Sequence, residues 1–475
     1  MVFSSPLFLL LFLPVVLAAY HAARGRGRNV VLLVASLLFY AWGELRYVPL
    51  VLASVLFNAF IGVRVAAGGA TARRRWLALG VAVNLAGLAV FKYANFALEN
   101  WAAVQPWLGG TPSAVAVATI PLPLGISFFT FHAISYIVDV YKGNAAPERR
   151  LPTFALYILL FPQLIAGPII RWRDIAGQLG TRSEHVAEVA YGIRRFVTGL
   201  AKKVLIANTL GRVADPIFGL PATELTTPLA WLGLACYTLQ IYFDFSGYSD
   251  MAIGLMRMFG FRILENFNYP YVSRSIREFW RRWHISLSNW FRDYLYVPLG
   301  GNRRGAWREY RNLVIVFLLC GLWHGASWPF VLWGAWHGTF LVLERAWLGG
   351  RLARHRVLAH VYALAAIMLG WVLFRCDTLV HAGHYYAALA GFAAGDPLHH
   401  PLGEWLDPLT LTALALGVVL SMPVGPTLAR WREAATARGN ALVLSLDVAG
   451  LAVLLLVATS FLAGGTYNPF IYFRF

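Results

Sequence analysis

The chain has 475 residues, of which 59% are hydrophobic and only 13% charged, with a formal net charge of +18. A soluble globular domain carries about 25% charged residues, so the composition excludes an ordinary water-soluble protein and points to lipid as the solvent. The three cysteines, Cys236, Cys320 and Cys376, stand far apart in or beside apolar runs, which excludes a disulfide framework and a cysteine metal site.

Apolar stretches that approach or exceed the roughly 20 residues needed to cross a bilayer recur along the chain. In order they are 3–20, 29–43, 47–64, 75–93, 113–140, 151–170, 228–256, 311–343, 357–375, 407–424 and 441–463. They define an all-α polytopic membrane protein, read as one membrane domain over residues 1–475. The first stretch, "VFSSPLFLLLFLPVVLAAY", has no basic residues before it and several after it, so it reads as a retained span and not a signal peptide. The basic loops "ARGRGR" (23–28) and "RVAAGGATARRR" (64–75) flank the second and third spans, while "GELR" between those spans is balanced. By the positive-inside rule both basic loops face the cytoplasm and the N-terminus lies outside. The same rule accounts for the positive charge without any nucleic-acid partner.

Residues 94–112 and 394–406 read as polar loops, and 424–440 reads as a basic cytoplasmic loop. The chain shows no repeat at a fixed period. Residues 186–216 interleave apolar residues with Arg194, Arg195, Lys202 and Lys203 at helical spacing, which suits the membrane interface better than its centre. Between Tyr271 and Arg311 stand nine arginines against Glu278, Asp293 and Glu309, interleaved with Trp280, Trp283 and Trp290. Such a stretch between spans fits re-entrant or interfacial helices, since non-helical backbone at that depth needs protein or a water-filled cavity around it. Asp244 and Asp250 are expected to pair with arginines, and no His/Asp/Glu set has metal-ligand spacing.

Among the twelve histidines, His284 in "FWRRWHISLS" and His324 in "GLWHGASW" stand out. His132 and His337 also lie in apolar context. His337 follows His324 by 13 residues; on one helix, at ~100° per residue, the two would point about 220° apart and would not share a site. A structural histidine bonding a neighbouring carbonyl fits position 324, but ionisable residues within spans usually mark pathways or reactive centres. The setting favours chemistry: Gly321 and Gly325 allow close approach, Trp323 and Trp328 offer rigid walls, and Pro329 would disturb the helix just beyond.

Long strings of the chain resemble the membrane-bound O-acyltransferase family, in particular its bacterial branch of alginate O-acetylation and teichoic acid D-alanylation proteins. The resemblance is densest in "LQIYFDFSGYSDMAIGLMRMFGFRILENFNYPYVSRSIREFWRRWHISLSNWFRDYLYVPLGGNR" (239–303) and "GLWHGASWPFVLWGAWHG" (321–338), within a core region 239–340. It is also visible in "PLGISFFTFHAISYIVDVYKG" (123–143) and "FPQLIAGPI" (161–169). It implies a ring of about eleven spans with re-entrant helices around a central funnel, in a bacterial inner membrane. It implies that the histidine of "WHG", here His324, is catalytic, with His284 as a second functional position; Trp323, as a wall next to His324, would border the substrate.

The chemistry agrees: a neutral imidazole is a suitable general base for a hydroxyl attacking a thioester. No bound cofactor is implied; acetyl-CoA or another acyl thioester would be the donor substrate, and Arg303, Arg304 and Arg308 would meet coenzyme A phosphates or an acidic carrier protein, or else form an ordinary positive-inside loop. Periplasmic acetyltransferase proteins of a polysaccharide modification system would be the partners, beside membrane lipid. D-alanylation systems have a companion protein ending in F-x-Y-x-x-F, and "FIYFRF" (470–475) matches it, so Tyr472 would act as an acyl relay. Two alternatives stand beside acetyl transfer: D-alanyl transfer from a carrier protein, and a transporter or flippase whose histidines relay protons.

Overall fold

The computed structural model describes residues 2–108, 120–182, 185–437, 441–465, 467–469 and 471. The protein is helical, with no strand among the described residues. Two compact units are distinguished: residues 10–185 with 259–263, and residues 2–9 with 186–258 and the chain from 264 onward.

The first unit holds α1 (Leu13–Ala22), α2 (Gly27–Glu44), α3 (Val48–Ala67), α4 (Ala70–Val104), α5 (Ile126–Lys142), α6 (Leu151–Leu159), α7 (Phe161–Leu164) and α8 (Trp172–Gly180). Helices α3 and α4 exchange amide hydrogen bonds between buried Asn58 and Asn84, at 2.6 and 3.2 Å, the kind of polar contact that joins helices in lipid. Residues 94–104, expected in a loop, continue α4, because no breaker intervenes before Pro106. Of the expected span 113–140, residues 113–119 lie outside the described residues, and the described part is helical from Ile126. Gly125 precedes it at φ +75°, where a Cβ would lie 2.5 Å from the Leu164 carbonyl. The stretch 151–170 breaks at Leu160, since Pro162 has no N–H with which to continue the ladder.

The second unit holds α9 (Val186–Ala201), which runs through a π-helical stretch (Lys202–Ala207) into α10 (Asn208–Gly219), then α11 (Thr227–Met258), α12 (Ile276–Arg282), α13 (Ile285–Phe291), α14 (Ala306–His324) and α15 (Trp328–Leu343). It continues with α16 (Gly349–Leu352), α17 (Arg356–Arg375), α18 (Leu379–Leu389), α19 (Pro408–Leu420), α20 (Val424–Ala437) and α21 (Ala441–Ala463). The residues of α20, expected in a loop, are mostly good helix formers, and the helix bends 73° away from α19. The stretch 311–343 is two antiparallel helices instead of one span. A Cβ on Gly321 would fall on the Phe330 carbonyl, and one on Gly334 on the Phe317 carbonyl.

Among the described residues, four stretches are long and apolar enough by themselves to cross a membrane: Gly27–Ala67, Ala70–Leu108, Arg356–Arg375 and Ala441–Ala463. A fifth is added if α19 and α20 count as one bent span. Helix α11 carries polar residues within its apolar length: every residue from Cys236 to Met256 is buried, including Gln240, Asp244, Ser249 and Asp250.

The basic residues of α9 and the π-helical stretch face acids more than an interface. Asp250 receives Arg195 and Lys202, both at 2.7 Å, Lys203 pairs with Asp244, and Arg194 pairs with Asp447 of α21. The expected pairing of the two aspartates with basic residues is met, Asp244 by a lysine. Two reciprocal glycine contacts bring α9 against α11: Gly192 on Gly254 and Gly199 on Gly247. A Cβ on any of the four would lie 2.6–2.7 Å from the opposite glycine's carbonyl oxygen.

Overpacking of a close contact costs about 1–3 kcal/mol. Gly247→Ala is therefore expected to lower the thermal unfolding midpoint of the detergent-solubilised protein by several degrees. Gly87→Ala, where nothing lies within 4 Å of the added carbon, should not lower it. Equal midpoints for both variants would show that α9 and α11 are not in backbone contact.

Candidate active site

Ser275 caps α12 by accepting from Glu278 N at 3.0 Å, in an S-x-x-E sequence typical of helix starts. Glu344 accepts from Ile276 N and Arg277 N at 2.5 and 3.0 Å, satisfying further donors of the first turn. After α12 the chain turns sharply, and His284 takes a left-handed backbone at φ +43°. Only one other non-glycine residue among those described, Tyr269, has positive φ. A bulky side chain in that region costs of order 1–3 kcal/mol and persists where surrounding contacts over-determine it.

Those contacts converge on Asn266. Its carbonyl receives Ile285 N at 2.9 Å. Its side-chain Oδ1 accepts from Ser286 N at 3.1 Å and Ser286 Oγ at 2.9 Å, and its Nδ2 donates to Ser249 Oγ of α11 at 3.2 Å. A backbone N–H can only donate, so the atom facing Ser286 N is the oxygen. His284 Nδ1, 3.2 Å from the same oxygen, therefore carries the proton, and Nε2 is the basic nitrogen. Burial holds the imidazole well below the ordinary histidine range, so the ring is neutral at physiological pH.

His324 is the last residue of α14. Its ring centroid lies 6.4 Å from that of His284, 4.9 Å from Trp323, 5.1 Å from Trp333 and 5.2 Å from Phe374. Trp323 lies 6.1 Å from His284, so it borders both histidines. The two histidines singled out in the sequence thus come together in one aromatic chamber, with 0% and 3% of their surfaces exposed.

Other parts of the sequence reading change. Trp328 is half exposed, and Trp333 forms the wall in its place. Gly321 and Gly325 admit α15, since a Cβ on Gly325 would fall in the Phe330 ring. Pro329 opens α15 in its first turn, where a missing N–H costs nothing. His337 lies on α15 and not on the helix of His324. Both rings pack against Trp333, His337 at 5.0 Å, so the 220° argument does not apply. His132, in the first unit, is held structurally: its Nε2 accepts from Ile170 N at 3.3 Å.

Arg303 and Arg304 sit exposed on the turn before α14 and line neither of two cavities nearby, although Asn302 beside them lines the larger. One cavity, about 380 Å³, is lined by Trp280, Ile285, Phe317 and Cys320 among others, and Cys320 is one turn from His324. The other, about 930 Å³, carries a modest excess of positive charge, with Arg274, Arg277, Arg292, Arg345 and Arg356 on its walls against Glu278, Glu309 and Glu344. Arg277, Arg292 and Tyr296 line both. Tyr472 lies outside the described residues.

Asn266, Trp333 and Phe374 were not singled out from sequence. Asn266 sits in the quoted "ENFNYPY", and only its distance from His284, 18 residues along the chain, concealed the link.

Comparison with known proteins places this site in context. The profile described as "MBOAT, membrane-bound O-acyltransferase family" matches residues 146–368. The chain is 47% identical to the probable alginate O-acetylase of Azotobacter vinelandii, over 88% of this chain and 83% of that protein. It is 43% identical to the probable alginate O-acetylase of Pseudomonas putida over the full length of both. It is 38% identical to the peptidoglycan O-acetyltransferase of Helicobacter pylori, over 80% of this chain and 78% of that one.

Asn266→Asp keeps the acceptor oxygen but adds a negative charge beside His284, which favours the imidazolium. If neutral His284 is required, the acid limb of the pH–activity profile is expected to move to higher pH by about one unit or more. Asn266→Ala, which frees the tautomer, should lower kcat more than it raises KM. An unmoved acid limb in a folded Asn266→Asp protein would remove Asn266 from the mechanism.

Proposed function

The chain belongs to the membrane-bound O-acyltransferase family, and from that premise we propose that it transfers acetyl groups for the O-acetylation of an exported, alginate-like polysaccharide. Its class as a multi-pass membrane O-acyltransferase follows from the family. The donor is a cytoplasmic thioester, acetyl-CoA in the simplest case, and the protein lies in a bacterial inner membrane with its N-terminus on the periplasmic side. Periplasmic acetyltransferase proteins receive the group and complete its delivery.

The observation that carries this reading is the pairing of His284 and His324, 6.4 Å apart in an aromatic enclosure. His324 acts as general base. The acceptor hydroxyl gives its proton to the imidazole as its oxygen attacks the thioester carbonyl; the C–O bond forms, the C–S bond breaks, and the departing thiolate takes the proton from His324. Neutral His284, with Nδ1–H committed to Asn266, offers Nε2 as an acceptor. It therefore orients the thioester donor by accepting from one of its N–H groups, since in this tautomer it has no Nε2 proton with which to polarise the carbonyl and the hydroxyl proton goes to His324. Trp323 borders the reacting groups and keeps water out, which strengthens each electrostatic contact within. The larger cavity, with its excess of arginines, suits the phosphates of a coenzyme A thioester, and the adjoining apolar cavity leads its acyl end toward Cys320 and His324. Arg303 and Arg304, on their exposed turn, meet the donor before it enters. Tyr472 accepts the acetyl group transiently and passes it on.

His324→Ala is expected to reduce acetyl transfer from acetyl-CoA in membrane vesicles by about 100-fold or more, the usual range for a general base, at unchanged protein level. Unchanged transfer would remove His324 from the chemistry. Tyr472→Phe should abolish polymer O-acetylation in cells while leaving protein abundance normal; acetylation at the original rate would end the relay role.

A further inference from the structure

Lys203 and Asp244 form an ion pair that is 3% and 1% exposed, and the proposed chemistry does not use it. A buried pair repays its desolvation only when further hydrogen bonds satisfy the remaining donors and acceptors. Here the C-terminal segment supplies them. Lys203 Nζ donates to the Pro469 carbonyl, and Asp244 Oδ2 accepts from Ile471 N at 3.0 Å.

Asn468, between them, accepts from Asn208 Nδ2 at 3.1 Å and Ser4 Oγ at 3.2 Å, and donates to the Ser4 carbonyl at 3.1 Å. Tyr467 lies beside Gly211, against which Gln240 of α11 also packs. The described residues of the segment thus meet the surroundings of α11 near Gln240 and at Asp244, one turn apart, and Ile471, the last of them, is 7% exposed. Phe245, the next residue of α11, holds its ring 4.7 Å from His284. Neighbouring positions on a helix are about 100° apart, so the anchored segment and His284 occupy different faces of α11 at one height.

We propose that the Lys203–Asp244 pair is an anchor for the C-terminal segment, fixing it on α11 at the height of His284, and that acetyl transfer depends on this anchoring. The dependence rests on the O-acyltransferase reading; the anchor itself does not. Lys203 and Asp244 are positioning residues that act through the tail.

Two double variants separate an anchor from a simple helix–helix ion pair. Lys203→Asp/Asp244→Lys keeps a pair but turns a carboxylate toward the Pro469 carbonyl and an ammonium toward Ile471 N–H. Lys203→Met/Asp244→Leu replaces the pair with apolar groups of similar volume, a change that folds tolerate well. Hydrogen exchange of the full-length protein in detergent reads the tail directly, and protection of α9 to α11 verifies the fold.

In both variants exchange at the Ile471 amide is expected to rise by about tenfold or more, as for loss of hydrogen bonds to charged groups. Acetyl transfer from acetyl-CoA should fall with it. A tail that stays protected in either folded variant overturns the anchor. Transfer at the original rate with a released tail overturns the dependence. If the unaltered protein transfers no acetyl group, the O-acyltransferase reading fails, while the exchange result still decides the anchor.

Discussion

A buried helix that carries charge must find partners for it, and α11 is the helix on which this protein depends. Between Gln240 and Asp250 it places two carboxylates and several hydroxyls where no solvent reaches. Each unpaired buried charge would cost several kcal/mol. Asp250 is met by Arg195 and Lys202, which holds α9 in place. Ser249 is met by Asn266, and through Asn266 the same link orients His284. Asp244 is met by Lys203 and by the backbone of the tail. Scaffold, site and terminus are thus three consequences of a single requirement for charge and hydrogen-bond compensation.

Close approach of backbones is the second requirement. Membrane helices gain little from hydrophobic burial against each other, so small residues and direct backbone contact do much of the work. Gly192 and Gly199 on α9 meet Gly254 and Gly247 on α11 in antiparallel order, each pair seven residues from the next. The same device closes α14 on α15 through Gly321 and Gly334. That closure ends α14 at His324 and brings Trp333 to its side, so glycines set the aromatic surroundings of the histidine.

Much of this was legible in the sequence. Low charge and recurrent apolar stretches identified a polytopic membrane protein, and long motif strings pointed to the O-acyltransferase family and to His284 and His324. The misreadings have common causes. Apolar composition alone does not show where a chain turns, which is why the hairpin of α14 and α15 was read as a single crossing. The basic residues of α9 and of the π-helical stretch after it resembled an interfacial face because their acidic partners lie about 40 to 250 residues away. The seven-residue glycine spacing was present in both helices, but its meaning required knowing that they are antiparallel neighbours.

Residue types, local patterns and motif strings therefore determined the solvent, the fold class, the family and the identity of the two histidines, since each is a property of a short stretch. Only the tertiary structure decided that those histidines share a chamber, which nitrogen of His284 is basic, that Trp333 and not Trp328 forms the wall, and that the tail is pinned to a buried ion pair. Each of these turns on which distant group supplies the compensating hydrogen bond or admits the closest approach, and that is a property of the packed chain and not of any segment within it.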